Sequence, residues 1–222
     1  MVMSKQSPNE PSISITVNNI KIGQVQHFNY LGSWITTDGR CGKKIRWRIN
    51  LSKRSFNSMK NIFKDRQLSI QLKTRLLKCF VWPVLMYGCK TWTITSKIKK
   101  NLAAEMWFYC RIFHIPWTVH QTNVSVFQRM GQERKLLCCI EQRQLKFVGH
   151  VICKGELEDL ALSGRMPGKR ARGAQCFTFI RNFKGLCKNL GNLWETTRNR
   201  TQWKNIVHRG LDQPWYLKRK RG

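Results

Sequence analysis

Phe28–Cys41 reads FNYLGSWITTDGRC, and this stretch decides the fold because the predicted secondary structure changes within it. Up to Ile35 it is rich in aromatic and β-branched residues, which favour a β-strand. Thr37-Asp38-Gly39 predicts a turn, since Asp and Gly suit the backbone of tight turns. After the turn, apolar residues recur at mostly helical spacing from Ile45 to Phe63 among many lysines and arginines. We therefore predict a strand, a turn and a long basic helix.

A short hairpin is predicted upstream of this stretch. Ile13–Val17 alternates apolar and polar residues, Asn18-Asn19 suits a turn, and Ile20–Ile22 resumes the alternation. We expect the Phe28–Ile35 strand to lie beside this hairpin. Residues 1–40 are therefore predicted to form a small β element.

The chain from residue 41 to residue 162 is predicted to be helical. Ser69 is suited to cap a helix that Pro83 should kink or end early, because proline has no backbone N–H. Ser96 is suited to cap another helix, which should continue to Phe113. Two later helices are predicted to begin near Asn123 and Gln132.

Residues 163–175 differ in composition from this helical region. They combine three glycines and one proline with four basic residues and almost nothing apolar, which predicts an exposed basic linker. Residues 176–222 are predicted to contain two short helices and a basic tail. The expected fold class is mainly α, with a small N-terminal β element, a helical bundle at 41–162 and a small basic C-terminal helical region.

The charge of the chain points to a polyanionic partner. There are 41 lysines and arginines against 11 aspartates and glutamates, so the formal net charge is +30 and the chain repels itself unless a polyanion is close. Basic residues extend from Lys43 to Arg221 without a long acidic stretch to offset them. A merely soluble surface would mix both signs. Nucleic acid is therefore the expected partner.

Cysteine usage and hydropathy favour a location inside the cell. The nine cysteines are odd in number and no secretory signal precedes them, so we expect a protein that is not secreted and is nuclear or cytoplasmic. The basic tail Lys218–Arg221 favours the nucleus. The longest apolar run, Cys79–Tyr87, is too short for a membrane span and contains Pro83. No membrane partner is expected.

No motif for catalysis or metal binding is found in the sequence. Cys138-Cys139 with His150 and Cys153 lacks the paired cysteine spacing of a zinc site, so no metal is expected. Glycine-rich nucleotide-binding loops are missing as well, and no small-molecule substrate is predicted. Glu158-Asp159 is the only pair of adjacent acids, and we interpret it as an exposed helix end.

Several segments, in the same order, resemble reverse transcriptases of non-LTR (LINE-type) retrotransposons. Phe28–Cys41 resembles the strand and turn just downstream of the polymerase active site in that family. The other similar segments are YGCKTW at 87–92, WFYCRI at 107–112 followed by PWT at 116–118, QLKFVGHV at 144–151, GRMPGKRARG at 164–173 and RTQWK at 200–204. The likeness covers nearly the whole chain after residue 13.

This resemblance implies the end of a palm at 1–40, a helical thumb at 41–162 and a C-terminal basic region. The family is an RNA-directed DNA polymerase whose palm holds divalent metal ions such as Mg²⁺ on paired aspartates. The sequence contains no such pair, so we expect a truncated, non-catalytic fragment without a cofactor. Pro83, Lys90 and Ala174 depart from the family's pattern.

The function that remains to be expected is nucleic-acid binding. Lysines and arginines contact phosphates, and tryptophans can stack on unpaired bases. The resemblance implies that the 43–63 helix faces a template–primer duplex. The candidate nucleic-acid-binding residues are Lys43, Lys44, Arg46, Trp47, Arg48, Lys53, Arg54, Lys169, Arg170, Arg172, Lys218, Arg219, Lys220 and Arg221. Core packing is expected of Trp34, Trp82, Trp92 and Trp107.

Three functional hypotheses stay open at this point. The first is a retrotransposon fragment that binds template RNA and primer DNA with little sequence specificity. The second is a domesticated, transposon-derived protein that binds DNA or RNA. The third is a decayed open reading frame with no selected function. The sequence does not choose between RNA, DNA and an RNA–DNA hybrid.

Overall fold

The computed structural model describes residues 14–116, 118–119, 121–131, 135–163, 179, 183 and 190–212. Within these ranges the chain is mostly helical, with a small β element at the N-terminus. The predicted fold class is confirmed.

The β element consists of two separate antiparallel hairpins. Strands β1 (Ile15–Val17) and β2 (Ile20–Ile22) pair with each other, and strands β3 (His27–Tyr30) and β4 (Ser33–Thr36) form the second sheet. The turn between β1 and β2 is the predicted Asn18-Asn19, and both asparagines adopt positive φ, as a two-residue hairpin turn requires.

The single strand predicted over residues 28–35 is wrong. The chain reverses at Leu31 and Gly32, whose φ angles are +48° and +69°. Two positive φ angles in succession suit the tight turn of a hairpin, and glycine reaches this conformation without steric cost. The aromatic and β-branched residues on either side therefore form two short strands.

Helix α1 (Gly42–Ser58) follows the second hairpin and buries Ile45, Ile49 and Phe56 on one face. The predicted long helix is interrupted at Met59, whose φ and ψ are −100° and 18°, and a short helix α2 (Lys60–Lys64) follows. The break lets Phe63 stack on Phe56, with ring centroids 4.3 Å apart and planes 10° from parallel. Packing of these two rings accounts for the interruption.

Helix α3 (Ile70–Leu76) begins where it was predicted, because the Ser69 side chain accepts a hydrogen bond from the Leu72 N–H at 3.3 Å. A π-helical segment (Leu77–Val81) joins α3 to the short helix α4 (Trp82–Leu85). Pro83 lies in the first turn of α4, where a missing N–H is tolerated. Helical structure continues past Pro83 to Leu85, and the α-helix that begins at Ile70 gives way to the π-helical segment before Pro83 is reached.

The third predicted helix is divided into α5 (Ser96–Asn101) and α6 (Ala104–Ile112). Its N-terminal cap is Thr95 and not Ser96, since the Thr95 hydroxyl accepts the Ile98 N–H at 3.4 Å. The remaining described helices are α7 (Asn123–Met130), α8 (Leu136–Lys154), α9 (Leu157–Ser163), α10 (Leu190–Arg198) and α11 (Arg200–Asp212). No described helix is both long and apolar enough to cross a lipid bilayer.

The larger hydrophobic core lies between α1, the α3–α4 segment, α5, α6 and the first half of α8. Trp82 and Trp92 are buried in it, as predicted. Gln144 of α8 is fully buried, and its Nε2 donates hydrogen bonds of 2.8 Å to both the Cys89 and the Trp92 carbonyl oxygens. These two bonds hold the chain after α4 against α8.

A second core lies on the other half of α8. Leu145, Val148 and Ile152 of α8 pack there with Trp203 and Val207 of α11. Helices on both sides of residues 163–175 thus share this core. The segment 164–175 itself, predicted as a basic linker, lies outside the described residues.

The acidic pair Glu158-Asp159 does lie in the first turn of α9, but the interpretation as an exposed helix end is wrong for Asp159. Asp159 is buried and accepts a hydrogen bond from Trp194 Nε1 at 2.9 Å. Burial is tolerated because the carboxylate has this donor. Asp159 therefore links α9 to α10.

Candidate nucleic-acid interface

The outward side of α1 gathers most of the described candidate residues. Lys43, Trp47 and Arg54 follow one another at i, i+4 and i+11, so they lie along one line of the helix, opposite its buried residues. Arg46 and Lys53 lie on one flank of this line. None of the seventeen residues of α1 is acidic. We call Lys43, Arg46, Trp47, Lys53 and Arg54 the α1 basic face.

Aromatic rings lie beside the cations at the N-terminal end of this face. Lys43 Nζ lies 4.7 Å from the ring centroid of Trp34, which belongs to β4. The Trp34 and Trp47 rings meet edge to face with centroids 6.2 Å apart, and Trp47 keeps 38% of its surface exposed. The second hairpin thus brings a partly buried indole against α1, and Trp47 remains open to a stacking partner.

Lys44 lies on the opposite flank of α1 from Arg46. Its Nζ donates a hydrogen bond of 3.3 Å to Thr91 Oγ1, and the Cys41 thiol at the start of the helix approaches the Thr91 carbonyl oxygen. Lys44 is half-buried and helps join α1 to the segment after α4. We therefore place it at the margin of the interface.

Arg48 does not belong to the exposed set. It is only 9% exposed, its Nη2 donates to the Gly32 carbonyl oxygen, and its guanidinium carbon lies 4.0 Å from the ring centroid of Tyr87. Burial lowers the pKa of this guanidinium from its ordinary value. Arg48 follows Ile45 by three residues and precedes Ile49, and this spacing is the sequence signal that it points towards the core. Its role here is to hold the second hairpin.

Two residues outside the list of candidate binding residues, Trp107 and Arg111, lie beside this face. Lys53 Nζ lies 5.1 Å and Arg111 Cζ 4.1 Å from the ring centroid of Trp107, for which core packing was expected. Trp107 and Arg111 are i and i+4 on α6, so their proximity could have been inferred from sequence. The approach of Lys53 requires the packing of α6 against α1, which local sequence does not show.

Acidic side chains do little to offset this positive surface. Glu105, Glu141 and Asp159 are buried. Glu105 accepts hydrogen bonds from the Tyr109 hydroxyl at 2.8 Å and from the Leu136 N–H at 3.3 Å, so its charge is used to join α6 to the start of α8. The field outside the protein is therefore set mainly by lysine and arginine.

Among the described residues, no three His, Cys, Asp or Glu side chains are grouped so that they could hold a metal ion. Burial raises the pKa values of the Cys89, Cys110 and Cys139 thiols, which keeps them protonated and poorly nucleophilic.

Seven of the candidate residues lie outside the described residues and stay predictions. They are Lys169, Arg170, Arg172, Lys218, Arg219, Lys220 and Arg221. Of the others, the structure brings Lys43, Arg46, Trp47, Lys53 and Arg54 together on one face. Comparisons of the chain with protein-family models, with curated proteins and with solved structures found no match.

Proposed function

We propose that this protein binds nucleic acid through the α1 basic face, with little sequence specificity and without catalysing a reaction itself. The observation that carries the proposal is the arrangement of Lys43, Arg46, Lys53 and Arg54 on one side of a helix that has no acidic residue, beside the partly exposed ring of Trp47. Cations supply contacts to phosphates, and the indole supplies a surface for a base.

The dimensions of α1 suit a nucleic-acid backbone. Lys43 and Arg54 are eleven residues apart, which at about 1.5 Å per residue corresponds to about 16 Å along the helix axis. Phosphates on one strand of a duplex advance by about 3.4 Å each along the duplex axis, so the face is long enough to reach several of them. Contacts of this kind position a nucleic acid but carry no direct sequence information.

The resemblance to non-LTR retrotransposon reverse transcriptases supports a more specific version of this proposal. In that family the helical thumb grips a template–primer duplex through its backbone. We therefore propose that the preferred ligand is an RNA–DNA hybrid and that the chain contributes binding to such an assembly.

Fluorescence-anisotropy titration across a salt series tests the proposal. The probes are single-stranded RNA, duplex DNA and an RNA–DNA hybrid of equal length. The test variant combines Lys43→Gln, Arg46→Gln and Arg54→Gln. If each cation contacts one phosphate, the slope of log affinity against log salt should flatten by about 2 to 2.7.

The matched control combines Arg198→Gln, Arg200→Gln and Lys204→Gln, which remove the same charge from exposed positions of α10 and α11. Equal flattening in both triple variants would mean that net charge alone drives binding and would reject the α1 basic face. Absence of binding by the unmodified protein at low salt would reject the function itself. Equal affinity for all three probes would reject only the preference for a hybrid.

A further inference from the structure

We propose that Lys53, Trp107 and Arg111 form a pre-assembled clamp for a single backbone phosphate. The inference rests on the proposed function and deepens it, because it assigns one defined contact to a surface otherwise described only by its charge. The three residues come from two helices, α1 and α6, that pack against each other.

The core sets the orientation of the Trp107 indole. Trp107 meets the Phe56 ring edge to face at 5.6 Å and the Phe108 ring edge to face at 5.2 Å. Phe56 is itself stacked on Phe63, and all three phenylalanines are buried. The Trp107 ring is therefore a fixed support, while its own surface is only partly buried.

The Trp107 ring lies close to two cations. Lys53 Nζ and Arg111 Cζ lie 5.1 and 4.1 Å from its centroid, so the two charged groups are within about 10 Å of each other. Two like charges at this separation repel, and the ring offsets part of that repulsion through cation–π attraction. An anion that contacts both groups would offset part of this repulsion.

The acidic residue of α6, Glu105, is not available to either cation. Glu105 is buried and accepts hydrogen bonds from Tyr109 and Leu136. Arg111 is exposed and Lys53 is half-buried, so a ligand can reach both from solvent.

The chemistry of these two cations suits a phosphate group. A guanidinium presents a rigid fork that matches two oxygens of a phosphate, and an ammonium adds a point charge that can reach another oxygen of the same group. The clamp lies on the flank of the α1 basic face, beside Arg54. A phosphodiester that passes along α1 is therefore the ligand that the geometry fits.

The first test compares Lys53→Gln, Arg111→Gln and the double variant with the control pair Arg200→Gln and Lys204→Gln. If both cations share one phosphate, the double variant should flatten the salt slope by about 0.7 to 0.9 in total, whereas two separate phosphates would give about 1.4 to 1.8. Each single variant should weaken binding by about tenfold, and the second substitution should add little.

The second test removes the support and keeps the charges. Trp107→Leu should weaken binding by about two- to fivefold, while Trp107→Phe, which keeps an aromatic face, should lose less. Circular dichroism and the melting temperature establish that each variant is folded. Folded Trp107→Leu with unchanged affinity would overturn the role of the ring.

Inorganic tripolyphosphate separates failure of the clamp from failure of the proposed function. A rise in melting temperature with tripolyphosphate in the unmodified protein, lost in the double variant, would support the clamp even if no nucleic acid binds. Nucleic-acid binding that the double variant and the control pair weaken equally would overturn the clamp and leave the proposed function standing. Tighter binding to polyglutamate than to RNA would overturn the assignment to a phosphate.

Discussion

The second hairpin and the C-terminal helices both dock on the helical body, but they do so by different means. The β3–β4 turn is held by polar groups, since its Gly32 and Leu31 carbonyl oxygens accept hydrogen bonds from Arg48 and, at 2.8 Å, from the Tyr87 hydroxyl. Helix α11 is held by close packing of Trp203 on Gly149 of α8, where an added methyl group would lie 2.1 Å from Trp203 Nε1.

The two junctions should therefore respond differently to substitution. A hydrogen bond to an exposed carbonyl is replaced in part by water when it is lost, so it contributes less than a large buried aromatic ring. A tightly packed aromatic ring has no such substitute, because neither a cavity nor an added atom is tolerated without a shift of its neighbours. The C-terminal junction should therefore be the more sensitive of the two.

The largest expected effect is loss of the Trp203 ring. Trp203→Ala should lower the free energy of unfolding by about 3 to 5 kcal/mol, since the side chain is buried between α8 and α11. Chemical denaturation followed by circular dichroism measures this. A loss below about 1 kcal/mol would show that the C-terminal junction is not held by close packing.

Gly149→Ala should cost about 1 to 3 kcal/mol by overpacking against the indole. The same substitution in the Trp203→Ala background should change sign and stabilise by up to about 1 kcal/mol, because alanine is the better helix former once the ring is gone. A double-mutant cycle measures the coupling. Equal costs in both backgrounds would contradict the close approach of Gly149 and Trp203.

At the polar junction, Arg48→Met should cost about 1.5 to 3 kcal/mol, because a charged hydrogen bond and the contact with the Tyr87 ring are both lost. Arg46→Gln is the matched control on the same helix. Arg46 is exposed, so its substitution should change stability by no more than about 0.5 kcal/mol while weakening nucleic-acid binding. The reverse pattern would show that the two arginines have been assigned the wrong roles.

The smallest effect is expected from Tyr87→Phe, which removes one hydrogen bond but keeps the ring against Arg48. The bond is exposed, so we expect a loss of about 0.5 to 1 kcal/mol in the free energy of unfolding. Thermal denaturation of the variant beside the unmodified protein detects it. A loss as large as that of Arg48→Met would mean that the Tyr87 hydroxyl contributes as much as the guanidinium to holding the hairpin.

Local sequence was sufficient for features that depend on neighbouring residues. The Asn18-Asn19 turn and the cap at Ser69 each follow from backbone preferences of one or two residues. The break at Met59 could not be predicted in this way, because it depends on the stacking of Phe63 on Phe56. The turn at Leu31-Gly32 was missed because leucine rarely adopts positive φ.

The candidate interface also combines features that the sequence predicts with features that depend on tertiary contacts. Its sign of charge and its place on α1 follow from composition and from the helical period. Which arginine faces outward, and which cations meet at Trp107, depend on contacts between α1, the second hairpin and α6.

The mainly helical fold and the strongly basic charge could be read from the sequence, since periodicity, capping and net charge are local or additive properties. Tertiary contacts, in contrast, place Arg48 at a hairpin turn, bury Asp159 beside Trp194, and bring Lys53 and Arg111 to one indole. These roles depend on residues that are distant in the chain and become neighbours only when the helices pack.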